Sequence, residues 1–257
     1  MASERATSEA GQSWTQKVSH QLPILASRYA ECLIGDFKSI LLLIGQAPLI
    51  GWFCVIVWSD VEHDTDTLRF ILSLASVWFG CITACREIAK ERDILERERF
   101  FGLSLTAYVV SKVLVLAAVS ASQVVLLQMT VEWHIGIRGN MLLQMFALFC
   151  ASLCGMGLGL LVSAIASTQE QAVFSVPLLI IPQILFSEFA IPKEQFGNIV
   201  DAIENFMPVK WAYLVFEQTA STTTEWKWVF WSYVVMLGYT ALLVLLCQIA
   251  LVPRRQK

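Results

Sequence analysis

Six apolar stretches, each near the length that crosses a bilayer, dominate this chain: residues 40–58, 68–85, 105–131, 141–166, 172–190 and 229–252. A helix needs about 20 mostly apolar residues to traverse hydrocarbon. Composition agrees, with 56% hydrophobic and 15% charged residues. That leaves too little polar surface to coat a soluble domain of 257 residues, so lipid is the expected solvent. The sequence predicts an all-α integral membrane protein with six transmembrane helices. The second stretch is short, and Thr83 and Ala84 carry it toward the polar segment that follows. Pro48 in the first stretch, and Pro177 and Pro182 in the fifth, are expected to kink or break their helices.

Orientation follows from the Lys/Arg bias across the loops. With the N-terminus inside, thirteen of the 18 Lys and Arg residues fall on the cytoplasmic side and five (Arg69, Arg138, Lys193, Lys210 and Lys227) on the outer side. The first outer loop, residues 59–66, is acidic, as this orientation requires. Lys112 is expected to snorkel to the inner surface. Several of the nine Trp residues sit where apolar runs meet polar loops, as interfacial anchors do. Both termini are placed in the cytoplasm, with the protein multi-pass in the plasma (cell inner) membrane. Residues 1–12 lack an apolar core behind a basic start, unlike a secretory signal. Residues 1–20 are expected to be a disordered cytosolic tail, and 21–257 one membrane domain.

Four segments carry further information. Leu22, Leu25, Ala26, Tyr29, Leu33 and Phe37 share one helical face, with Arg28, Glu31, Asp36 and Lys38 off it, which describes an amphipathic helix in the inner interface. Residues 86–99 hold five acids and five bases, for no net charge. This segment cannot enter hydrocarbon, and its neutrality argues against an anionic-lipid patch. Glu87 with Lys90, and Asp93 with Arg97, are spaced to support a helix. Ala151, Gly155, Gly159 and Ser163 repeat at i,i+4 and predict close helix packing in lipid. Residues 187–227 keep apolar and aromatic side chains throughout. They are read as short helices, partly re-entrant at the outer face.

Catalytic chemistry is scarce. The three His residues (His20, His63 and His134) lie in separate segments, and no HExxH, GxSxG or Walker motif occurs. The seven Cys fall almost entirely in apolar stretches; Cys81/Cys85 and Cys150/Cys154 have i,i+4 spacing but no nearby His or carboxylate to complete a metal site. No catalytic residue, metal or nucleic-acid partner is expected, and no disulfide. Intramembrane ionisable residues mark ion relays. Their near absence here argues against transport driven by an ion gradient, so the energy for active transport would come from another chain.

The order of segments, and above all Lys90-Glu91-Arg92-Asp93-Ile94-Leu95-Glu96-Arg97-Glu98-Arg99-Phe100-Phe101-Gly102-Leu103-Ser104 followed by Ala107-Tyr108 and Ser111-Lys112, resembles the permease domain of ATP-binding cassette exporters related to the G subfamily (the type-2 permease superfamily). Gln46-Ala47-Pro48, Pro177 with Pro182, and Phe206-Met207-Pro208-Val209-Lys210-Trp211-Ala212-Tyr213 extend the likeness over nearly the whole chain after about residue 20. The resemblance implies that residues 86–99 form a coupling helix seated on an ATPase, with Glu87, Lys90, Glu91, Arg92, Glu96, Arg97, Glu98 and Arg99 as its contacts. Residues 21–38 would be a connecting helix. Trp78, Phe174, Leu178 and Ile181 would line a path between two permease halves, and Leu185 and Phe186 an outer valve. Glu188 stands where the family often has Gly. ATP and Mg would bind the partner ATPase, not this chain.

The function expected is export of a hydrophobic or amphipathic substrate (a lipid, lipid-linked glycan or drug) by alternating access, with an ABC ATPase, a second copy of the chain and membrane lipid as partners. A non-transporting membrane module for signalling or assembly is the alternative. An intramembrane enzyme is excluded for want of a buried catalytic cluster.

Overall fold

The computed structural model describes residues 14–60, 65–190, 197–221 and 223–252. Among them every regular element is helical. The order is α1 (Trp14–Gly35), α2 (Phe37–Trp58), α3 (Asp66–Ala84), a 3-10 turn (Ala89–Glu91), α4 (Arg92–Phe100), α5 (Leu105–Ile135), α6 (Met141–Ile165), α7 (Gln169–Leu185), α8 (Asn198–Glu204), α9 (Pro208–Ala220) and α10 (Trp226–Leu251). Helix starts coincide with polar side chains that accept from otherwise unpaired backbone N–H groups. Asp36 caps α2, Thr65 α3, Ser104 α5, Asn140 α6 and Thr168 α7.

Five of these helices, α2, α3, α5, α6 and α10, are long and apolar enough to cross a membrane. The expected span at 172–190 differs: α7 has 17 residues and stops at Leu185, which gives about 25 Å against the roughly 30 Å of a bilayer core. Pro177 and Pro182 lie inside α7, and Pro48 inside α2, without interrupting either helix. Past Leu185 the backbone closes into turns, with Phe186 N donating to Pro182 O at 2.9 Å and Ala190 N to Ser187 O.

Two other boundaries move. Helix α1 begins at Trp14, so residues 14–20 of the expected tail are helical, while residues 1–13 lie outside the described residues. Leu25, Tyr29 and Leu33 form the buried stripe of α1, but Phe37 does not join it. Asp36 ends that stripe by capping a new helix, and Phe37 is 66% exposed at the start of α2.

Helix α3 occupies the centre. Its membrane-length part is 78% buried, against 22% for α2 and for α10, so the latter two leave most of their apolar surface outside the bundle. The most extensive helix–helix contact joins α3 to α6. Gly155 faces the Val77 carbonyl, Gly159 the Cys81 carbonyl and Gly80 the Ser152 carbonyl, each so closely that a Cβ would overlap the opposing backbone. The small-residue stripe is thus a backbone-to-backbone seam. Its last member, Ser163, closes on the turn after α3: its hydroxyl accepts from Ile88 N at 2.9 Å and Ala89 N at 3.0 Å.

The two ends of the bundle differ. At the charged end, α1, α4, the start of α5 and the last turns of α6 and α10 converge. At the far end, α9 turns back into the bundle. Thr219, near its C-terminus, bonds Gln144 in the first turn of α6. Pro208 and Trp211, at its start, share a groove with Cys154 and Met236. Cys154 lies about 15 Å along α6 from Gln144, so α9 follows a re-entrant course.

Replacing Gly80 or Gly155 with Val is expected to lower stability by about 1–3 kcal/mol, the usual range for overpacking. Gly45→Ala, with no atom within 4 Å of the added Cβ, is expected to be neutral or stabilising. Thermal melts in detergent, followed by tryptophan fluorescence, measure both.

Candidate functional site

Residues 85–104 hold the densest charge in the chain, and most of that charge is turned inward. Helices α6 and α10 end here with carbonyls that have no partner in their own helix. Arg92 supplies partners to α6, donating from one guanidinium nitrogen to Ala164 O at 2.8 Å and Ala166 O at 2.7 Å. Arg99 does the same for α10, donating to Leu251 O at 2.8 Å. Both arginines therefore pair their charge with the negative ends of two membrane helices.

Helix α1 is tied to the same segment from outside. Arg28 makes a forked pair with Glu98 at 2.6 and 3.0 Å, and this carboxylate raises the guanidinium pKa above its ordinary value. Gln21 accepts from Ser104 N at 2.9 Å and donates to Gly102 O at 3.3 Å.

Between α1, α4 and α5 lies a closed ionic cluster. The Tyr29 hydroxyl donates to Glu87 Oε2 at 2.7 Å, and Lys90 Nζ stands 3.5 Å from the same oxygen. Burial pushes the Tyr29 phenol pKa up, and the neighbouring Glu87 carboxylate adds to that, so Tyr29 remains a donor. Tyr108 donates to Glu91 Oε2 at 3.2 Å. Lys112 Nζ lies 2.8 Å from Glu91 Oε2 and forms a buried ion pair with it. The same ammonium sits 3.8 Å from the centroid of the Tyr29 ring and 5.3 Å from that of Tyr108.

The residues expected to meet an ATPase thus divide. Glu87, Glu91, Arg92, Glu98 and Arg99 are engaged with the protein's own helices. Lys90, Glu96 and Arg97 are exposed, together with Asp93 and Ile94. Lys112 does not snorkel: its side chain is 1% exposed, because Glu91 and two tyrosine rings offer a nearer partner than the aqueous surface. Asp93 and Arg97 form no ion pair despite their spacing, whereas Glu87 and Lys90 do.

The expected path residues are also sorted. Phe174, Leu178, Ile181 and Leu185 form one exposed stripe on α7. Trp78 is half-buried against the core cluster that includes Val77, Ala151 and Tyr213. Phe186 is half-buried beside a cavity at the far end. Sequence reasoning missed Gln21, Arg28, Tyr29, Tyr108 and Ser163 as partners of the charged segment. Two signals were available: Tyr29 shares the apolar stripe of α1, and Ser163 ends the small-residue stripe of α6. His63, Lys193, Arg254 and Arg255 lie outside the described residues.

Membrane-length helices, a re-entrant far end and a charged end that braces several helices define a multi-pass permease domain. The chain belongs to the ABC-2 type transporter family, whose sequence profile matches residues 20–220. It is 30% identical over 179 residues to the probable multidrug ABC transporter permease YbhR of Escherichia coli K12, covering 66% of this chain and 48% of that protein. It is 27% identical over 165 residues to the ABC transporter ATP-binding/permease protein Rv1747 of Mycobacterium tuberculosis, covering 60% of this chain and 19% of that protein. The chain therefore spans about half of the first relative's length and a fifth of the second's.

Truncating Lys112 to Ala is expected to cost about 3–5 kcal/mol, the range for breaking a buried pair. Truncating Arg28, whose side chain is 51% exposed, is expected to cost no more than about 1 kcal/mol. Chemical denaturation in mixed micelles measures the contrast.

Proposed function

We propose that this chain is the membrane half of an ATP-driven exporter, and that the outward face of residues 90–97 is the handle by which a partner ATPase moves it. The observation that carries this reading is the division within the charged segment. Its inward charges are bound to α1, α5, α6 and α10, while Lys90, Asp93, Glu96 and Arg97 present a mixed-charge surface around the exposed Ile94. A push on that surface acts on four helices together. By contrast α7, with few contacts to α3 and α6, is free to shift against them.

In this reading the charged end faces the cytoplasm, as the Lys/Arg bias favours, and the membrane is the cell's inner, or plasma, membrane. The exposed stripe Phe174–Leu178–Ile181–Leu185 of α7 faces a second copy of the chain and, with Trp78, borders the path between them. Leu185 and Phe186 close that path at the outside. ATP with Mg binds the partner subunit. Its closure draws two charged segments together and shifts the population from inward-open to outward-open, by as much as nucleotide binds the two states differently. An apolar stripe selects a hydrophobic or amphipathic substrate. The name of the Escherichia coli relative supports the same substrate class.

The test uses charge reversal at exposed positions, where stability is spared. Glu96→Lys combined with Arg97→Glu is expected to abolish substrate-stimulated ATPase activity of the reconstituted complex while membrane insertion and melting stay unchanged. Intact stimulation in the double variant removes the docking role. Nucleotide-driven conformational change without flux of a fluorescent lipid or drug replaces export with the signalling or assembly module.

A further inference from the structure

Gly238 and Tyr239 stand at the midpoint of α10 (Trp226–Leu251), and beside them the wall of the bundle is open. A Cβ added at Gly238 would meet no atom within 4 Å. The opening is a groove of about 210 Å³ between α10 and the turn that starts α9. Cys154 and Met236 are buried at its base, while Phe206 and Leu242 stand 70% and 52% exposed at its rim. The groove therefore opens away from the bundle.

Its lining offers little to a polar guest. Cys154 Sγ donates to Met236 O at 3.2 Å, and the Trp211 indole N–H donates to Asn205 O at 2.9 Å. The Asn205 side chain is held at both ends, donating to Asp201 O and accepting from Lys210. One polar side-chain atom of the lining, the Tyr239 hydroxyl, has no partner among the described residues. A water needs about two to four such partners, and apolar cavities of about 150 Å³ stay dry and take apolar guests.

Depth specifies the guest. Each half of α10 is about 20 Å long, so the groove lies near the centre of the hydrocarbon that this helix crosses. Residues 205–207 are non-helical beside it, and such backbone requires cover at that depth. The rim continues into the apolar outer surface of α10, where Leu237, Leu245 and Leu246 are exposed. The groove shares no residue with the α7 stripe that the export reading gives to a second copy. What borders such a surface at mid-bilayer is the end of an acyl chain.

We infer that the groove seats the terminal part of one acyl chain of a membrane lipid, wedged between the start of α9 and the middle of α10. The chain makes the contacts that the absent side chain at Gly238 leaves unmade, and it covers the turn at 205–207. The inference goes beyond the export reading and does not depend on it.

Photocrosslinking of the purified full chain in phosphatidylcholine nanodiscs tests it. The probe is phosphatidylcholine carrying a diazirine at the end of one acyl chain, with adducts mapped by peptide mass spectrometry. Adducts at Phe206, Trp211 and Tyr239 are expected to exceed those at Leu245 and Leu246, and a diazirine beside the headgroup is expected to spare the groove. Gly238→Phe fills the groove. It is expected to cut the groove adducts about tenfold or more, as when about two methylenes lose a buried place, with adducts at Leu245 and the melting temperature unchanged. If the melting temperature falls, Gly238→Leu carries the test, with a several-fold loss expected. Groove adducts no denser than those at Leu245, or unchanged in both variants, overturn the proposal and leave ordinary surrounding lipid. An unlabelled groove beside a labelled outer surface also overturns it and gives the groove to a second copy or to water.

Discussion

Lipid tails supply no hydrophobic drive between helices, so α3 and α6 are held together by what their surfaces can touch. Glycine at positions 80, 155 and 159 lets backbone meet backbone along that seam, and the remaining helices are arranged around it. The central position of α3 follows: its most extensive contact is with α6 and its next with α9, while α2, α5 and α7 enclose it in lighter contact. Ser163 continues the seam past the end of the membrane helices, where its hydroxyl holds the turn that leads into α4. The charged segment is therefore not a loop hung from two spans. Its first residues are set by the same surface that packs the core.

That placement explains why so many charges can lie at a membrane boundary without being solvated. Every helix end there has carbonyls to satisfy, and Arg92 and Arg99 satisfy those of α6 and α10. Glu91 pairs with Lys112 and accepts from Tyr108, while Glu87 pairs with Lys90 and accepts from Tyr29. Buried pairs of this kind contribute less to stability than to defining a single arrangement, because desolvation offsets much of the attraction. In this protein the arrangement they define joins α1, α4 and α5 to the ends of α6 and α10. Such a joined end ties five helices into one unit.

The far end follows a different principle. Helix α9 enters the bundle, and its polar residues meet the end of α7, which stops at Leu185. Non-helical backbone and polar side chains are tolerated at that depth only where protein or a cavity surrounds them. Glu204, Lys210 and Gln183 meet that condition: all three border one small cavity. Acidic residues are scarce in the six apolar stretches, although two cations, Arg69 and Lys112, lie buried within them. The re-entrant segment adds Glu204 and Lys210, carried inward by α8 and α9, which are too short to register as spans.

Hydropathy, capping residues and small-residue spacing are local properties, and the sequence alone determined what they control. It set the membrane helices to within a few residues, the helical stripe Leu25–Tyr29–Leu33, the close seam on α6 and the separation of one charged end from an acidic opposite one. Tertiary structure decided which charges face inward, because the pairs concerned join positions far apart in the chain. Arg28 meets Glu98, Arg92 reaches the end of α6, and Arg99 meets Leu251 across 152 residues. No periodicity encodes such partners. Only folding revealed that Lys112 is caged and not snorkelled, that α7 ends at Leu185, and that Gln183 faces a cavity, since each depends on what a distant segment places beside it.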